Sequence, residues 1–158
     1  MEGHKGPIIG LITIDPKELF LQTRDTSIDD SVVTHKILSA SLDNTIRLWD
    51  TKQEMTTLTI LENDEKSELS SMAYLIEAGL VATGHEDGHI RLWNLEIGTH
   101  VLITGDSGNK MKHKSTVSCL WGVKYKGCEY LLCGSYDGWI SIWEISLKAQ
   151  AAQTTTNW

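Results

Sequence analysis

The sequence predicts an all-β protein built from three consecutive copies of one antiparallel unit of four short strands. The first observation is self-similarity, because segments 37–50, 81–94 and 131–144 align without a gap and begin 44 and 50 residues apart. The second is an Asp-containing turn signal within each copy, followed six residues later by Trp. A fixed period of this size is typical of repeat arrays, and four antiparallel strands per unit describe one blade of a β-propeller.

Each copy is predicted to contain a β-hairpin around its Asp turn. Asp87-Gly88 and Asp137-Gly138 suit a type I′ turn, whose two central residues both have positive φ. Asp43-Asn44 serves in the same way, since Asn tolerates that backbone region. The strands predicted before and after the three turns are 37–41 and 45–50, 80–84 and 89–94, and 130–134 and 139–145.

Further strands are predicted outside these hairpins. They cover 8–14, 69–76 and 117–125 upstream, and 55–61 and 100–104 downstream of the first two hairpins. The predicted units are therefore a first blade at 1–61, a second at 62–104 and a third at 105–145 whose fourth strand is not visible, then a polar tail or linker at 146–158. The first blade carries an acidic insertion at 15–36, interpreted either as a solvated loop or as a contact surface.

The composition is that of a soluble globular protein, with 41 % hydrophobic and 22 % charged residues. A formal net charge of −7 argues against electrostatic binding to nucleic acid or to an anionic membrane surface. No apolar run approaches the roughly 18 residues of a membrane span, and the first residues lack a signal-peptide pattern. Three cysteines without CxxC spacing indicate a reducing compartment, so we expect a cytoplasmic protein. The sequence has no P-loop, GxGxxG, HExxH or cysteine-rich zinc pattern, so we expect no cofactor or metal.

The repeated motif resembles the WD40 repeat. Trp49-Asp50 is a literal Trp-Asp dipeptide, and Trp93-Asn94 and Trp143-Glu144 are accepted variants of it. The resemblance covers nearly the whole chain outside the insertion and the tail. It implies a β-propeller, and because closed propellers have typically about 4–8 blades, three blades predict an incomplete ring. The remaining blades would come from the same longer chain or from another chain.

An open array of three blades also predicts an uncovered apolar face at each end. We expect the sheet containing Leu120, Ile140 and Ile142 to expose one of these faces. Contiguous apolar patches above a few hundred Å² are rare on soluble monomers and mark interfaces. The isolated chain is therefore expected to associate with itself or with neighbouring blades.

The resemblance further implies a structural chain of hydrogen bonds in each blade. A His before the first strand, a Ser or Thr in the second strand, the turn Asp and the third-strand Trp form it, so that N–H groups neutralise a carboxylate that is costly to bury. The second unit has no matching His, and in the third a thiol, a poorer partner, replaces the hydroxyl. The residues carried over are His4, Ser39, Asp43 and Trp49; Thr83, Asp87 and Trp93; and His113, Cys133, Asp137 and Trp143.

By the same resemblance, the chain is expected to be a non-catalytic scaffold that binds other proteins in a larger cytoplasmic assembly, the cytoskeleton included. The binding surface would combine turn residues with the loops 62–66 and 105–113. Aromatic side chains are enriched at interface hot spots, although packing between blades is a competing interpretation for Tyr136 and Trp139. The partner-binding candidates are Leu42, His85, Glu86, Tyr136 and Trp139.

Two other functions stay open from the sequence. The chain is compatible with a regulatory or targeting portion of a larger enzyme, or with a ubiquitin-ligase substrate receptor, although Lys52 stands where such receptors carry Arg in Trp-Asp-x-Arg. Two look-alike motifs do not predict chemistry. The segment 105–108 lies in a loop without protease partners, and His85 and His89 flank a tight turn and so lack the helical spacing of a zinc site.

Overall fold

A computed structural model of the chain describes residues 3–14, 36–51, 56–62, 67–95, 98–102 and 112–145. These residues form an all-β structure of eleven strands. Strands β1, β3 and β9 have the predicted bounds, and the others differ by one or two residues at one or both ends. The strands are β1 (Ile8–Ile14), β2 (Lys36–Ser41), β3 (Thr45–Asp50), β4 (Thr56–Glu62), β5 (Leu69–Leu75), β6 (Leu80–His85), β7 (Ile90–Asn94), β8 (His100–Leu102), β9 (Val117–Tyr125), β10 (Cys128–Ser135) and β11 (Ile140–Ile145).

The strands make three antiparallel sheets in chain order. The first sheet is β1-β2-β3-β4, the second is β5-β6-β7-β8, and the third is β9-β10-β11, with sequential strands adjacent throughout. Such meanders need only short connections, as the turn signals in the sequence indicate. The predicted tail at 146–158 and the insertion up to residue 35 lie outside the described residues, so a fourth strand of the third sheet stays a prediction.

The Asp turns close the hairpins in a different geometry from the predicted one. Among their residues only Asn44, Gly88 and Gly138 have positive φ, at 62°, 84° and 84°. Each of these three donates its backbone N–H to the carbonyl three residues earlier, at 3.1–3.2 Å. This is a three-residue loop, a type I turn followed by a left-handed residue. The expected type I′ turns are wrong at these sites because the residue before each Asp also belongs to the loop.

A turn with positive φ at both central residues occurs instead between β9 and β10. Lys126 and Gly127 have φ of 49° and 81°, and they connect Tyr125 to Cys128, which are paired across the hairpin. A two-residue loop of this kind matches the right-handed twist of the flanking strands. The third sheet therefore has a type I′ geometry at the opposite end of its strands from the Asp turn.

Two apolar layers hold the sheets together. The layer between the first and second sheets contains Ile14, Leu38, Ala40, Ile46 and Leu48 from one side and Leu69, Tyr74, Val81 and Trp93 from the other. The layer between the second and third sheets contains Ala73, Leu75, Leu80, Ala82 and Ile90, and Val117, Leu120, Leu131 and Cys133. The sheets are thus stacked in chain order, and the second sheet is covered on both faces.

Polar contacts reinforce the stacking of the second sheet on the third. The buried carboxylate of Glu129 accepts hydrogen bonds from the backbone N–H groups of Glu77 and Ala78, at 3.2 and 2.9 Å. The hydroxyl of Ser71 donates to the carbonyl of Val117 at 2.9 Å. Because a charge-assisted hydrogen bond is stronger than a neutral one, Glu129 anchors the third sheet to the turn between β5 and β6.

The two end sheets expose apolar side chains. Ile140 and Ile142 on β11 and Trp121 on β9 are exposed, as are Ile8 and Leu11 on β1. Leu120, in contrast, is buried in the layer against the second sheet. The expectation that Leu120 shares the open face is wrong because successive side chains of a strand point to opposite faces.

Candidate functional site

The structure joins four of the predicted side chains of the first sheet in one hydrogen-bonded chain. Nδ1 of His4 lies 3.0 and 3.2 Å from the two carboxylate oxygens of Asp43, and Nε2 lies 2.6 Å from the hydroxyl of Ser39. The same hydroxyl accepts the indole N–H of Trp49 at 2.8 Å. The network therefore runs from the turn carboxylate through imidazole and hydroxyl to the indole.

Asp43 is held in its charged form within this network. Burial alone would raise the pKa of its carboxyl, but the Thr45 hydroxyl, the Lys5 N–H and His4 together lower that pKa well below its usual value. The N–H of Lys5 donates at 2.8 Å and the Thr45 hydroxyl at 2.7 Å. Hydrogen bonds to a carboxylate favour the ionised form, so the turn and the segment before β1 are locked together.

In the second sheet the network is built differently. The indole N–H of Trp93 donates to the hydroxyl of Thr83 at 2.7 Å, and this hydroxyl lies 2.9 Å from Nε2 of His85. The carboxylate of Asp87 pairs instead with Nδ1 of His89 at 2.9 Å. Of the predicted set, Thr83 and Trp93 are brought together, while Asp87 pairs with His89 of its own turn and hydrogen-bonds with Ser67 ahead of β5.

His85 was expected at the exposed turn, and this prediction is wrong. The side chain has 0 % exposure, since β6 extends through His85 and alternation places it on the same face as Thr83. The sequence contains a signal for this position. His85 follows the strand hydroxyl by two residues, where the other copies have Ser41 and Ser135, and it supplies the imidazole that the second unit lacks before its first strand.

The environment of His85 keeps its imidazole neutral. Burial, with a contribution from the nearby Arg91 cation, lowers the pKa of His85 to about 3 from 6.5. A low-dielectric site disfavours the charged form of any titrating group. The neutral ring has one N–H and one acceptor nitrogen, which suits a position between the hydroxyl of Thr83 and the carbonyl of Ser67, 3.4 Å from Nδ1.

We expect His85 to make folding stability depend on pH in a window set by its two pKa values. In the unfolded chain His85 protonates below about pH 6.5, whereas the folded protein holds it neutral down to a pKa of about 3. The contribution of His85 to the free energy of unfolding is therefore complete above the pKa of the unfolded state. It is lost as pH falls below that value, at up to about 1.4 kcal/mol for each pH unit. His85→Gln should flatten the fall in unfolding free energy between about pH 7 and pH 5 in urea titrations.

The control for this measurement is Lys114→Gln, which removes the charge of an exposed side chain. It should retain the wild-type dependence on pH. Equal slopes for wild type and His85→Gln would show that His85 is not buried as a neutral ring.

The third sheet uses a hydroxyl that was not among the predicted residues. Nδ1 of His113 pairs with the carboxylate of Asp137 at 3.2 Å, and Nε2 lies 2.8 Å from the hydroxyl of Ser141. The indole N–H of Trp143 donates to the same hydroxyl at 2.9 Å. Cys133, predicted to occupy this place, is buried with its thiol 4.0 Å from the carbonyl of Gly134. Ser141 rather than Cys133 therefore joins His113 to Trp143, and Cys133 contacts the network through a hydrogen bond with Ser141.

Strand register explains the exchange of Cys133 for Ser141. The two residues are opposite one another on β10 and β11, so their side chains lie on the same face. The equivalent pairs are Ser39 with Arg47 and Thr83 with Arg91. The hydroxyl has thus moved across the ladder, and the sequence signal is a Ser where the other copies carry Arg two residues before Trp. Burial raises the pKa of the Cys133 thiol to about 11, so it is protonated.

The rim formed by the Asp turns carries the other predicted binding residues. Tyr136 and Trp139 are 77 % and 72 % exposed, Leu42 is 39 % exposed, and Glu86 is exposed as well. We call these four residues the turn rim. The predicted loop residues 63–66 and 105–111 lie outside the described residues. No described part of the chain packs over Tyr136 or Trp139, so packing between the three sheets does not account for them.

The buried networks are unsuited to nucleophilic chemistry. The hydroxyl of Ser39 is already bonded to both His4 and Trp49 and is 1 % exposed, whereas a nucleophile must be reached by its substrate. Within the described ranges no group of three or more His, Cys, Asp or Glu side chains is placed to hold a metal ion. No helix in that part of the chain is long and apolar enough to cross a membrane.

The three-fold repetition of network, turn and Trp is matched by a family model. The model described as "WD domain, G-beta repeat" matches residues 1–50, 55–94 and 105–144. The chain belongs to the WD40 repeat family. The resemblance to the WD40 repeat, predicted from the repeated motif, is confirmed.

Individual relatives are similar over most of this chain but are much longer. The ribosome biogenesis protein WDR12 homolog of Dictyostelium discoideum is 30 % identical over 118 residues, which are 72 % of this chain and 23 % of the relative. The COMPASS component SWD3 of Saccharomyces cerevisiae is 29 % identical over 143 residues, 90 % of this chain and 39 % of the relative. The chain thus spans well under half the length of these relatives.

Solved structures share the fold. A structure described as "Crystal structure of RRP9 WD40 repeats" matches with a TM-score of 0.64 and 22 % identity, over 91 % of this chain and 37 % of that chain. "Structure of U3-55K" gives the same TM-score and identity, over 38 % of that chain. The three stacked sheets are therefore arranged as in part of a larger WD40 structure.

Proposed function

We propose that the chain is a non-catalytic segment of a WD40 β-propeller that binds other proteins as a scaffold in a larger assembly. The observation that carries this proposal is the pair of exposed aromatic residues, Tyr136 and Trp139, on the turn rim. The equivalent positions, two residues after the turn Asp, hold Thr45 and His89, whose side chains contact the Asp of their own turn at 2.7 and 2.9 Å. Trp139 reaches Asp137 only through its backbone N–H, so the indole is left for a partner.

We further propose that the three sheets are three blades, each of four strands, in an incomplete ring. The uncovered apolar faces at both ends support this, because a blade buries both faces in a propeller. The length of the relatives supports it as well, since this chain corresponds to 23 % and 39 % of two of them. The remaining blades would extend the same stacking.

The names of the relatives agree with a role in protein assemblies. They refer to ribosome biogenesis and to the COMPASS complex, and none of these three names refers to the cytoskeleton, so the proposal does not extend there. Cytoplasmic location remains part of the proposal, as does the absence of catalysis. Support for the latter comes from the buried hydroxyls, which are already bonded to imidazole and indole.

The scaffold proposal is tested by changing the turn rim without changing the core. We expect the double variant Tyr136→Ala/Trp139→Ala to recover at least about tenfold less of the proteins that co-purify specifically with the wild-type chain. The reason is that aromatic anchors dominate interface energetics. Quantitative mass spectrometry after affinity purification measures this. The matched control is Tyr125→Ala/Lys126→Ala, two exposed residues at the opposite end of the third sheet. Equal recovery with both double variants, at equal melting temperatures, would contradict binding through the turn rim.

A further inference from the structure

Equivalent positions in the three sheets have very different exposure. On the strand of each sheet that carries the Trp of the repeated motif, Ile46 is 1 % exposed and Ile90 is 0 % exposed, because each packs against the following sheet. The third copy has Ile140 at this position, and it is 75 % exposed. The same apolar residue type is thus kept where no described residue covers it. We call this side of each sheet its trailing face.

The rest of the trailing face of the third sheet repeats the pattern. Leu48 is buried at the position where Ile142 is 65 % exposed. Ala73 is buried in the layer against the third sheet, whereas its counterpart Trp121 is 70 % exposed. Trp121 and Ile142 both lie opposite Leu132 on the central strand, so they form one continuous row. A contiguous apolar surface of this kind marks an interface.

The first sheet shows the complementary pattern on the other side, its leading face. Leu69 and Val117 are completely buried against the preceding sheet, while Ile8 at the same position is 54 % exposed. Leu120 is 8 % exposed, and its counterpart Leu11 is 66 % exposed. The chain therefore presents the two halves of its own internal interface, one at each end.

A glycine identifies where backbone contact belongs in that interface. The carbonyl of Gly88 accepts the N–H of His113 from the next sheet at 3.2 Å, and a Cβ on Gly88 would overlap the His113 carbonyl. Gly138 has the same φ of 84° at the same repeat position, but a Cβ there meets nothing within 4 Å. The residue of the first sheet that corresponds to His113 is His4.

We propose that the trailing face of the third sheet binds the leading face of the first sheet of a second copy of this chain. The contact is head to tail, with Ile140, Ile142 and Trp121 over Ile8 and Leu11. This inference rests on the proposed role of the sheets as blades. Two copies place six sheets in sequence, within the typical range of about 4–8 for closed propellers. A heterologous contact forms a ring when its rotation closes, so the expected product is a dimer with two equal interfaces.

Analytical ultracentrifugation of residues 1–158 at tens of micromolar tests the proposal with one variant for each face. We expect wild type to be a dimer. Ile142→Lys on the trailing face and Leu11→Lys on the leading face should each raise the dissociation constant of the dimer at least about a hundredfold. In either variant the lysine ammonium would be buried in the apolar contact between the two copies. Both residues are exposed within the single chain, so the folded monomer tolerates them, and far-UV circular dichroism verifies this.

The mixture of the two variants distinguishes this geometry from other dimers. Ile142→Lys keeps an intact leading face and Leu11→Lys an intact trailing face, so mixing them should restore a heterodimer with one interface. The control Leu42→Lys, on the turn rim of the first sheet, should remain a dimer. A monomeric wild type, association that persists in Leu11→Lys, or a mixture that stays monomeric would each overturn the proposal. None of these results would alter the purification test of the turn rim.

Discussion

Replacing Trp93 with alanine is expected to lower the free energy of unfolding by about 3–5 kcal/mol. The indole is 1 % exposed in the layer between the first and second sheets. It also packs on the ring of His100, with centroids 4.4 Å apart, and donates to Thr83 at 2.7 Å. Removal therefore leaves a large cavity and an unsatisfied network at the same site, which are separate costs.

The matched control is Trp139→Ala, which removes the same side chain from a position that is 72 % exposed. Surface substitutions away from special features usually change stability by no more than about 0.5 kcal/mol. Urea unfolding followed by circular dichroism compares the two variants with wild type. Similar midpoints for Trp93→Ala and Trp139→Ala would mean that the Trp of the repeated motif does not support the fold.

The contrast between these two tryptophans separates what the repeated motif predicts from what it does not. Alignment of the copies places Trp93 in an equivalent position to Trp49 and Trp143, and a shared position in a repeat predicts a shared structural role. Trp139 stands where the other copies have polar residues, so no shared role applies. The sequence left packing between blades as a competing interpretation for Trp139, and its 72 % exposure in the structure decides against packing between the described sheets.

Residues that lie close together across strands were harder to predict. Ser141 enters the third network because the register places it opposite Cys133, and register depends on the length of the loop between the strands. The predicted two-residue turns were one residue too short, so this loop length was not available from the motif. Similarity at single positions therefore predicted the hairpins. Which residues face each other across each hairpin could be read only from the structure.

The error at His85 has the same origin. A shorter strand β6 would have left His85 in the turn, whereas the observed strand includes it. Once the ring is inside, period-two alternation puts it beside Thr83, and Thr83 connects it to Trp93. A one-residue change in a strand boundary thus converts an expected binding residue into a buried part of the core.

Gly88→Ala is expected to lower the free energy of unfolding by about 2–5 kcal/mol. A left-handed backbone costs a residue with a Cβ about 1–2 kcal/mol, and Gly88 has a φ of 84°. In addition, the new methyl group would overlap the backbone carbonyl of His113 in the third sheet, and overpacking of this kind costs about 1–3 kcal/mol more. Backbone cannot move aside as a flexible side chain can, so the second and third sheets must separate locally.

Gly138→Ala and Gly127→Ala serve as controls that carry the backbone cost but not the overlap with a neighbouring sheet. Both glycines have positive φ, at 84° and 81°, but a Cβ on either meets nothing within 4 Å. They should therefore lose only the conformational part, about 1–2 kcal/mol. All three substitutions are best compared by urea unfolding in the Leu11→Lys background, because association would otherwise add to apparent stability.

The difference between Gly88→Ala and Gly138→Ala then measures the contact between neighbouring sheets. If the two variants unfold at the same urea concentration, the carbonyl of His113 does not lie against Gly88, and the stacking of the third sheet on the second is incorrect. If Gly88→Ala is severely destabilised and Gly138→Ala is not, a Cβ at this repeat position is tolerated only where no neighbouring sheet covers it. In a wild-type dimer with the proposed head-to-tail contact, Gly138 would acquire such a neighbour, and Gly138→Ala should then weaken association.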